Sequence, residues 1–433
     1  VRILAPQPNM NNLLDKIFFR SKNLNYINSG FKDIKKNTEV EQIFSAIHSF
    51  SANSEVRYVG GCVRKIIIKE KVDDIDLAVN LKPKEVCDAL NKKNIKYYES
   101  GIEHGTITAL INEKKFEITS LRKDVETDGR HAKIEFLTDW FEDASRRDFS
   151  INSIYADIEG NLYDPFNGKQ NIENGEIHFI GEEEKRIKED YLRILRYIRF
   201  FLNYSQINHN PLILKNIKKN LNGISKISSD RMLDEFKKLV YSNGFLKLSK
   251  DKNCLEIINL IFPEMKNIKI FDNLNNLAQK NINNVDFIFL LSLMIIDGTD
   301  NINYFIYKFN ISKKDQKRLI ILNNFYFEKK EKKTFSEKNL NKILFLYGRE
   351  AVMDIIYFKI FKSRKIDDKI EEMIKDFKDK KIPSMPLKAD VLIEKYDIPE
   401  GKELGKKLKI VEEFWINNEF KISEKEIEKL INN

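Results

Sequence analysis

Apolar and polar positions alternate with two different rhythms in the first third of the chain and with one rhythm after it. Val56 to Val59 alternates and predicts a short strand. The apolar-rich segment Cys62 to Glu70, just past Gly60-Gly61, predicts a helix. Val72 to Val79 predicts a second strand, which puts Asp74 and Asp76 on one face, because side chains two apart on a strand point the same way. A helix follows over Pro83 to Lys92, then two strand-like segments, HGTITALI and KKFEITSL, joined by a polar turn at Asn112 to Lys114. The charged stretch Arg122 to Lys133 predicts a mobile loop. RRDFSINSIYADIEGNLYDPFNGKQ predicts a helix leading into a hairpin that turns at Glu159 to Asn161. Ahead of all this, residues 11–50 carry an amphipathic pattern ending in VEQIFSAIHSF, a helix expected to pack on the sheet.

From about Glu173 the period becomes helical and stays so, with breaks at Asn208 to Pro211, Gly223, Gly244 and Pro263. The change predicts an α/β head followed by an elongated, all-helical remainder. The longest apolar run, Phe287 to Ile296, is too short to span a bilayer and predicts a buried helix.

Composition narrows the function classes. The 433 residues are 33% charged and 42% hydrophobic, which suits a soluble globular protein with more than one domain. The net charge of +9 suits a nucleic-acid partner without demanding one. Cys62, Cys87 and Cys254 show neither metal-ligand nor disulfide spacing, so a reducing, cytoplasmic location is expected. No secretory leader and no membrane association are expected, since the N-terminal residues lack a basic region followed by an apolar core.

Candidate chemistry concentrates in residues 57–79. Two carboxylates on one strand face repel each other unless a cation sits between them, and hard oxygen ligands suit Mg²⁺. Gly60 and Gly61 remove Cβ atoms at the mouth of a helix, so backbone N–H groups there can approach phosphate oxygens. Arg64 adds a guanidinium fork for the same oxygens. Glu117 reads equally well as a third carboxylate of a metal site or as a salt-bridged edge residue. Arg146, Arg147, Asp148 and Asn152 fit either triphosphate and ribose binding or an ion-pair cluster. In KEDYLRILRYIRF, Asp190, Arg193 and Tyr197 fall at helical spacing on one face, and Arg196 and Arg199 extend its basic side. A carboxylate accepts protons and a guanidinium donates them. Side by side they match a base edge with an amino donor next to a ring-nitrogen acceptor, which cytosine and adenine offer and guanine and uracil do not.

The glycine pair, Arg64 and the Asp-x-Asp, in this order and this close, resemble the active-site signature of the polymerase-β-like nucleotidyltransferases. More narrowly, they resemble the class II family that contains CCA-adding enzymes and poly(A) polymerases. Lys65 stands where that family usually carries an acidic or amide residue. RRDFSIN is similar to the family's motif for choosing ribose over deoxyribose. EDYLR, from Glu189, resembles its EDxxR element, a protein template for the incoming base. ETDGRH resembles the flexible loop needed for the terminal adenine. SSDRMLDEFKKLV resembles the motif that stiffens the neck helices, with Arg231 and Glu235 as an i,i+4 pair, and Asp164 and Gly168 resemble the hinge between head and neck.

The resemblance implies a head over 1–165, a neck over 166–243, a body over 244–360 and a tail over 361–433. It implies addition of CCA to the 3′ end of tRNA from CTP and ATP, with Mg²⁺ as cofactor and the tRNA acceptor arm bound by the helical part. Asp74 and Asp76 would hold the metal, with Glu117 completing the catalytic set. The nucleotide would meet Gly60, Gly61, Arg64, Arg146, Arg147, Asp148, Asn152, Asp190, Arg193, Arg196 and Arg199. The alternative within the family is a bacterial poly(A) polymerase. A catalytically dead RNA-binding module is disfavoured because both aspartates are present.

Overall fold

The computed structural model describes residues 27, 29–34, 38–127, 132–328, 335–365 and 369–432. The chain divides into two compact units, Val1–Phe245 and Leu246–Asn433. The first unit is built on a sheet of β1 (Val56–Val59), β2 (Asp76–Val79), β3 (Lys96–Gly101), β4 (Thr106–Ile111), β5 (Lys114–Ser120), β8 (Tyr155–Ala156) and β9 (Leu162–Tyr163). Their order is β3-β4-β5-β2-β1-β8-β9; β2 runs parallel to β5 and the other neighbours are antiparallel.

Register fixes which side chains share a face. Tyr58 lies opposite Leu77 and Val56 opposite Val79. Both pairs are buried, and Tyr58 packs its ring 5.0 Å from Phe44 on the helix Thr38–His48. The predicted amphipathic helix is therefore present over those residues, and its apolar stripe covers this face. The alternate face carries Val59, Ala78 and Asp76, and Val59, Ala78, Leu121, Ala144 and Tyr155 form a core beneath the short helix Trp140–Ser145. One face of the sheet is thus spent on stability, while part of the other remains open around Asp76.

Several expectations need correction. The second strand begins at Asp76, not Val72, because residues 70–75 have no ladder partner. The helix after the glycines ends at Ile67 rather than Glu70. The charged stretch predicted as a loop forms a hairpin, β6 (Arg122–Thr127) with β7 (Ala132–Phe136). Most of ETDGRH lies outside the described residues. RRDFSIN contains only a short 3₁₀ turn, Ser150–Asn152, although the hairpin after it is present as β8 and β9. Strand β3, with its largely exposed residues, was not foreseen.

Beyond the sheet the unit continues in helices Gly168–Asn174, Glu183–Glu189, Leu192–Tyr204, Pro211–Asn220 and Ser229–Val240. Asp164 caps the first of them, accepting from Gly168 N at 2.7 Å and Lys169 N at 2.9 Å. A Cβ on Gly168 would stand 2.1 Å from the Ser150 carbonyl oxygen, so only glycine lets this helix seat on the 3₁₀ turn.

The second unit is helical throughout its described residues, from Lys252–Ile261 to Glu424–Asn432. Phe287–Ile295 is the buried helix expected from its apolar run. No described helix is long and apolar enough to cross a membrane.

Candidate active site

β1 delivers the chain to Gly60, whose φ of 69° and ψ of −115° suit glycine alone, and the helix Gly61–Ile67 starts immediately. The space a Cβ would take at Gly60 faces Arg147 Nη1 and the Asn152 carbonyl, both at 4.0 Å. At Gly61 it faces Asp76 Oδ2 at 3.8 Å and Arg64 Nη2 at 4.0 Å. The glycine turn therefore leaves a gap bordered by a carboxylate on one side and two guanidinium groups on the other.

Asp76 is the first residue of β2 and lies in register with Glu117 on parallel β5, so both carboxylates share the open face. Asp74 precedes the strand and is exposed; its place on that face does not come from sheet geometry. Among the described residues none of the three makes an ion pair or side-chain hydrogen bond, and their oxygens are not all within 4.8 Å of one another. Burial, then the charges of Glu117 and Asp74, raise the Asp76 pKa above its ordinary value. Neighbouring carboxylates left without a cationic partner offer the hard oxygen atoms that a divalent cation takes, although they are not drawn together here.

Acids nearby behave differently. Asp143, 1% exposed, accepts on Oδ1 from Arg146 Nε (2.9 Å) and Nη2 (2.7 Å). Its Oδ2 accepts from Arg147 Nη2 (3.0 Å) and the Tyr155 hydroxyl (2.6 Å). Burial would raise its pKa, but Arg147 and Arg146 overrule that and hold the carboxyl well below the usual range. Arg146 and Arg147 are thus clasped from behind, and Arg147 presents Nη1 toward the glycine turn. Asp143 was missed in the sequence, though its i,i+3 and i,i+4 spacing to the two arginines was a readable signal.

Asp148 is buried and bonded to Arg196 Nε (2.6 Å), Asn152 Nδ2 (2.8 Å) and the Phe149 N–H (2.9 Å). Burial opposes its ionisation; Arg196 and these donors outweigh it and bring its pKa to about 2. Asn152 Oδ1 accepts from Arg64 Nη1. Arg64 Nε is buried with no acceptor among the described residues, while its guanidinium lies 5.0 Å from the Phe200 ring. An orphaned donor beside a glycine-lined gap calls for an oxygen acceptor from outside the protein.

The helix bearing the base-edge residues differs from expectation. It breaks at Asp190 (φ −151°, ψ 104°) and restarts as Leu192–Tyr204, so Asp190, Arg193 and Tyr197 do not share one helical face. Asp190 Oδ1 accepts from Leu192 N (3.1 Å) and Oδ2 from Arg231 Nη2 (2.8 Å). Arg193 Nη1 donates to Glu189 Oε2 (2.9 Å) and the Arg186 carbonyl (2.8 Å). Tyr197 is core, its hydroxyl 3.1 Å from His209 Nδ1. Arg196 and Arg199 join the helix to Asp148 and to buried Glu235, so Glu235 pairs with Arg199 rather than with Arg231 as its spacing suggested. Asp190 and Arg193 flank the break, the Arg193 N–H donating to the Asp190 carbonyl at 3.0 Å, and each side chain has hydrogen-bonding capacity to spare.

A known head domain, the poly(A) polymerase head domain, matches residues 56–178. The human mitochondrial CCA tRNA nucleotidyltransferase 1 is 44% identical over 197 residues, covering 44% of this chain and 45% of that protein. The CCA-adding enzyme of Lactobacillus johnsonii is 32% identical over 229 residues, 52% of this chain and 56% of that one. Residues 56–178 are thus similar to a poly(A) polymerase head domain, and about half of the chain is similar to CCA-adding enzymes. The chain spans about half the length of the curated relatives it matches. The fold is similar to that of solved CCA-adding enzymes. The Bacillus stearothermophilus CCA-adding enzyme in complex with CTP superposes with a TM-score of 0.67 at 20% identity, covering 90% of this chain and 95% of that one. The Thermotoga maritima CCA-adding enzyme complexed with tRNA gives 0.58 at 18% identity, covering 92% and 95%. The head-domain match and these folds agree with an α/β head followed by a helical remainder.

Proposed function

We propose that the chain adds CCA to the 3′ end of tRNA from CTP and ATP, releasing pyrophosphate at each step. One observation carries this reading. Asp74, Asp76 and Glu117 are left without a cationic partner beside a glycine turn, while the neighbouring acids Asp143, Asp148, Asp190 and Glu235 are paired with arginines. The fold of solved CCA-adding enzymes and the identity to the human and Lactobacillus enzymes support it.

In this reading Asp74 and Asp76 hold the metal, with Glu117 beside them, and the ion is Mg²⁺. When bound, it lowers the pKa of the terminal 3′-hydroxyl and offsets charge on the departing pyrophosphate. Gly60, Gly61, Arg64 and Arg147 seat the triphosphate. Asp148 and Asn152, fixed by Arg196 and Arg64, face the ribose. The 3′-oxygen then forms a bond to the α-phosphorus as the bond to pyrophosphate breaks and the hydroxyl proton passes to water, a reaction governed by positioning and charge. Asp190 and Arg193 inspect the base edge, and Glu189 and Arg231 hold them in place. The helical part, in a chain of net charge +9, takes the tRNA acceptor arm through phosphate contacts. All three cysteines are free and buried, which suits a reducing compartment such as the cytoplasm.

The test is incubation of the protein with a tRNA lacking CCA and each labelled nucleoside triphosphate. Incorporation of CTP twice and ATP once is expected. Long A-tails without CTP incorporation would reassign it as a poly(A) polymerase, and no incorporation with any triphosphate would remove the reading.

A further inference from the structure

Lys65 is where the chain departs from the signature it resembles, and the structure gives that lysine a partner. Its ammonium lies 3.1 Å from Asp73 Oδ2, and Lys71 stands 3.8 Å from Oδ1 of the same carboxylate. Asp73 immediately precedes Asp74, so two neighbouring carboxylates stand just ahead of Asp76 in the chain. Lys65 rides on the helix Gly61–Ile67, which is anchored by buried Cys62, Val63, Ile66 and Ile67. Residues 70–75 have no regular structure and belong to no strand pairing. Among the described residues the other side-chain hydrogen bond out of this segment is Glu70 with Asn243, at 3.4 Å. The ion pair therefore links a fixed helix to the segment that carries Asp74.

We propose that Lys65 is a positioning residue: by binding Asp73 it withholds that carboxylate from the cation and sets the backbone so that Asp74 is the one presented beside Asp76. The inference rests on the reading of Asp74 and Asp76 as cation ligands. An acidic residue at position 65 would repel Asp73 and free the segment, so the swap of charge sign matters here. The pair is 28% and 59% exposed on its two sides, so water screens it and its effect is modest.

The test uses the full chain and the variants Lys65→Ala, Asp73→Asn, both together, and the exchange Lys65→Asp with Asp73→Lys. Mn²⁺ binding is followed by electron paramagnetic resonance without turnover, and hydrogen exchange is followed across residues 70–78. Each single variant should weaken Mn²⁺ binding about threefold, as losing a partly exposed ion pair does, and should speed exchange in the segment. The double variant should be no worse than either single one, and the exchange should restore binding to within about twofold. Losses that add, an Asp73→Asn protein that binds as wild type does, or an exchange that fails to restore would each overturn the proposal. Asp76→Asn separates the two layers. If it binds Mn²⁺ like wild type, the cation site itself is wrong. If it loses binding while Lys65→Ala does not, this inference alone fails.

Discussion

Asp143 touches no substrate in the proposed reaction, yet replacing it should cost more than replacing any exposed arginine of the site. Its carboxylate, 1% exposed, receives both guanidinium groups of Arg146 and Arg147 and the Tyr155 hydroxyl, and also accepts from Arg122 N at 3.2 Å. Asp143→Ala takes the acceptor from Arg147 Nη2 and from the Tyr155 hydroxyl and leaves the Arg147 guanidinium without its buried counter-charge. Breaking a buried ion pair by removing one partner costs about 3–5 kcal/mol. For a unit of this size, each kcal/mol shifts the midpoint by about 2–4 °C, so the melting transition of the first unit should fall by roughly 6–20 °C. Asp143→Asn keeps the shape and part of the hydrogen bonding and should lose about half as much. Arg147 then has no fixed counter-charge, so its Nη1 no longer faces the glycine turn reliably. KM for CTP should rise about tenfold with a smaller change in kcat, the loss of roughly one charge-assisted hydrogen bond. Differential scanning calorimetry and steady-state incorporation on Asp143→Asn check both parts. A variant with wild-type melting and wild-type KM would refute the idea that Asp143 holds the phosphate-facing arginine.

Three further outcomes follow from the same geometry. Gly168→Ala should destabilise the first unit by more than the 1–3 kcal/mol or so of ordinary overpacking, because its Cβ would meet the Ser150 carbonyl at 2.1 Å; urea unfolding followed by far-UV circular dichroism checks it. Asp148 has a folded-state pKa of about 2, below its unfolded value, so its contribution is complete above the unfolded pKa and is lost as pH falls toward 2. Asp148→Asn should therefore flatten the loss of stability between about pH 4 and pH 2, measured by melting at a series of pH values. Asp76 is shifted the other way, so ionising it destabilises the metal-free fold as pH rises through the carboxylate range. Asp76→Asn should melt higher than wild type without metal at pH 7, and millimolar Mg²⁺ should stabilise wild type but not the variant.

What could be read from the chain follows from where the information sits. β4 and β5 were legible because each alternates between more and less buried positions; β1 alternates only weakly, since Tyr58 and Val59 are buried on opposite faces. The start of β2 was not, since VDDI continues the alternation while the ladder that would make it a strand belongs to distant residues. The pairing of Arg122–Thr127 with Ala132–Phe136 reads as a loop because their charged residues mask a backbone pairing that no local pattern announces. Along KEDYLRILRYIRF the helical period runs unbroken, and the break at Asp190 becomes evident only with its partner Arg231, far along the chain. The glycine turn, Asp76 and Glu117 were visible as residue types in order. Their lack of counter-charges, which gives them chemical meaning, required knowing where every nearby arginine goes.

A crystal of the protein with CTP and Mn²⁺, measured at the manganese edge, bears most directly on the chemistry proposed. Anomalous density should lie between the carboxylates of Asp74 and Asp76, with the triphosphate seated against Gly60 and Gly61. A bound nucleotide whose phosphates lie elsewhere, or manganese held by other residues, would contradict it.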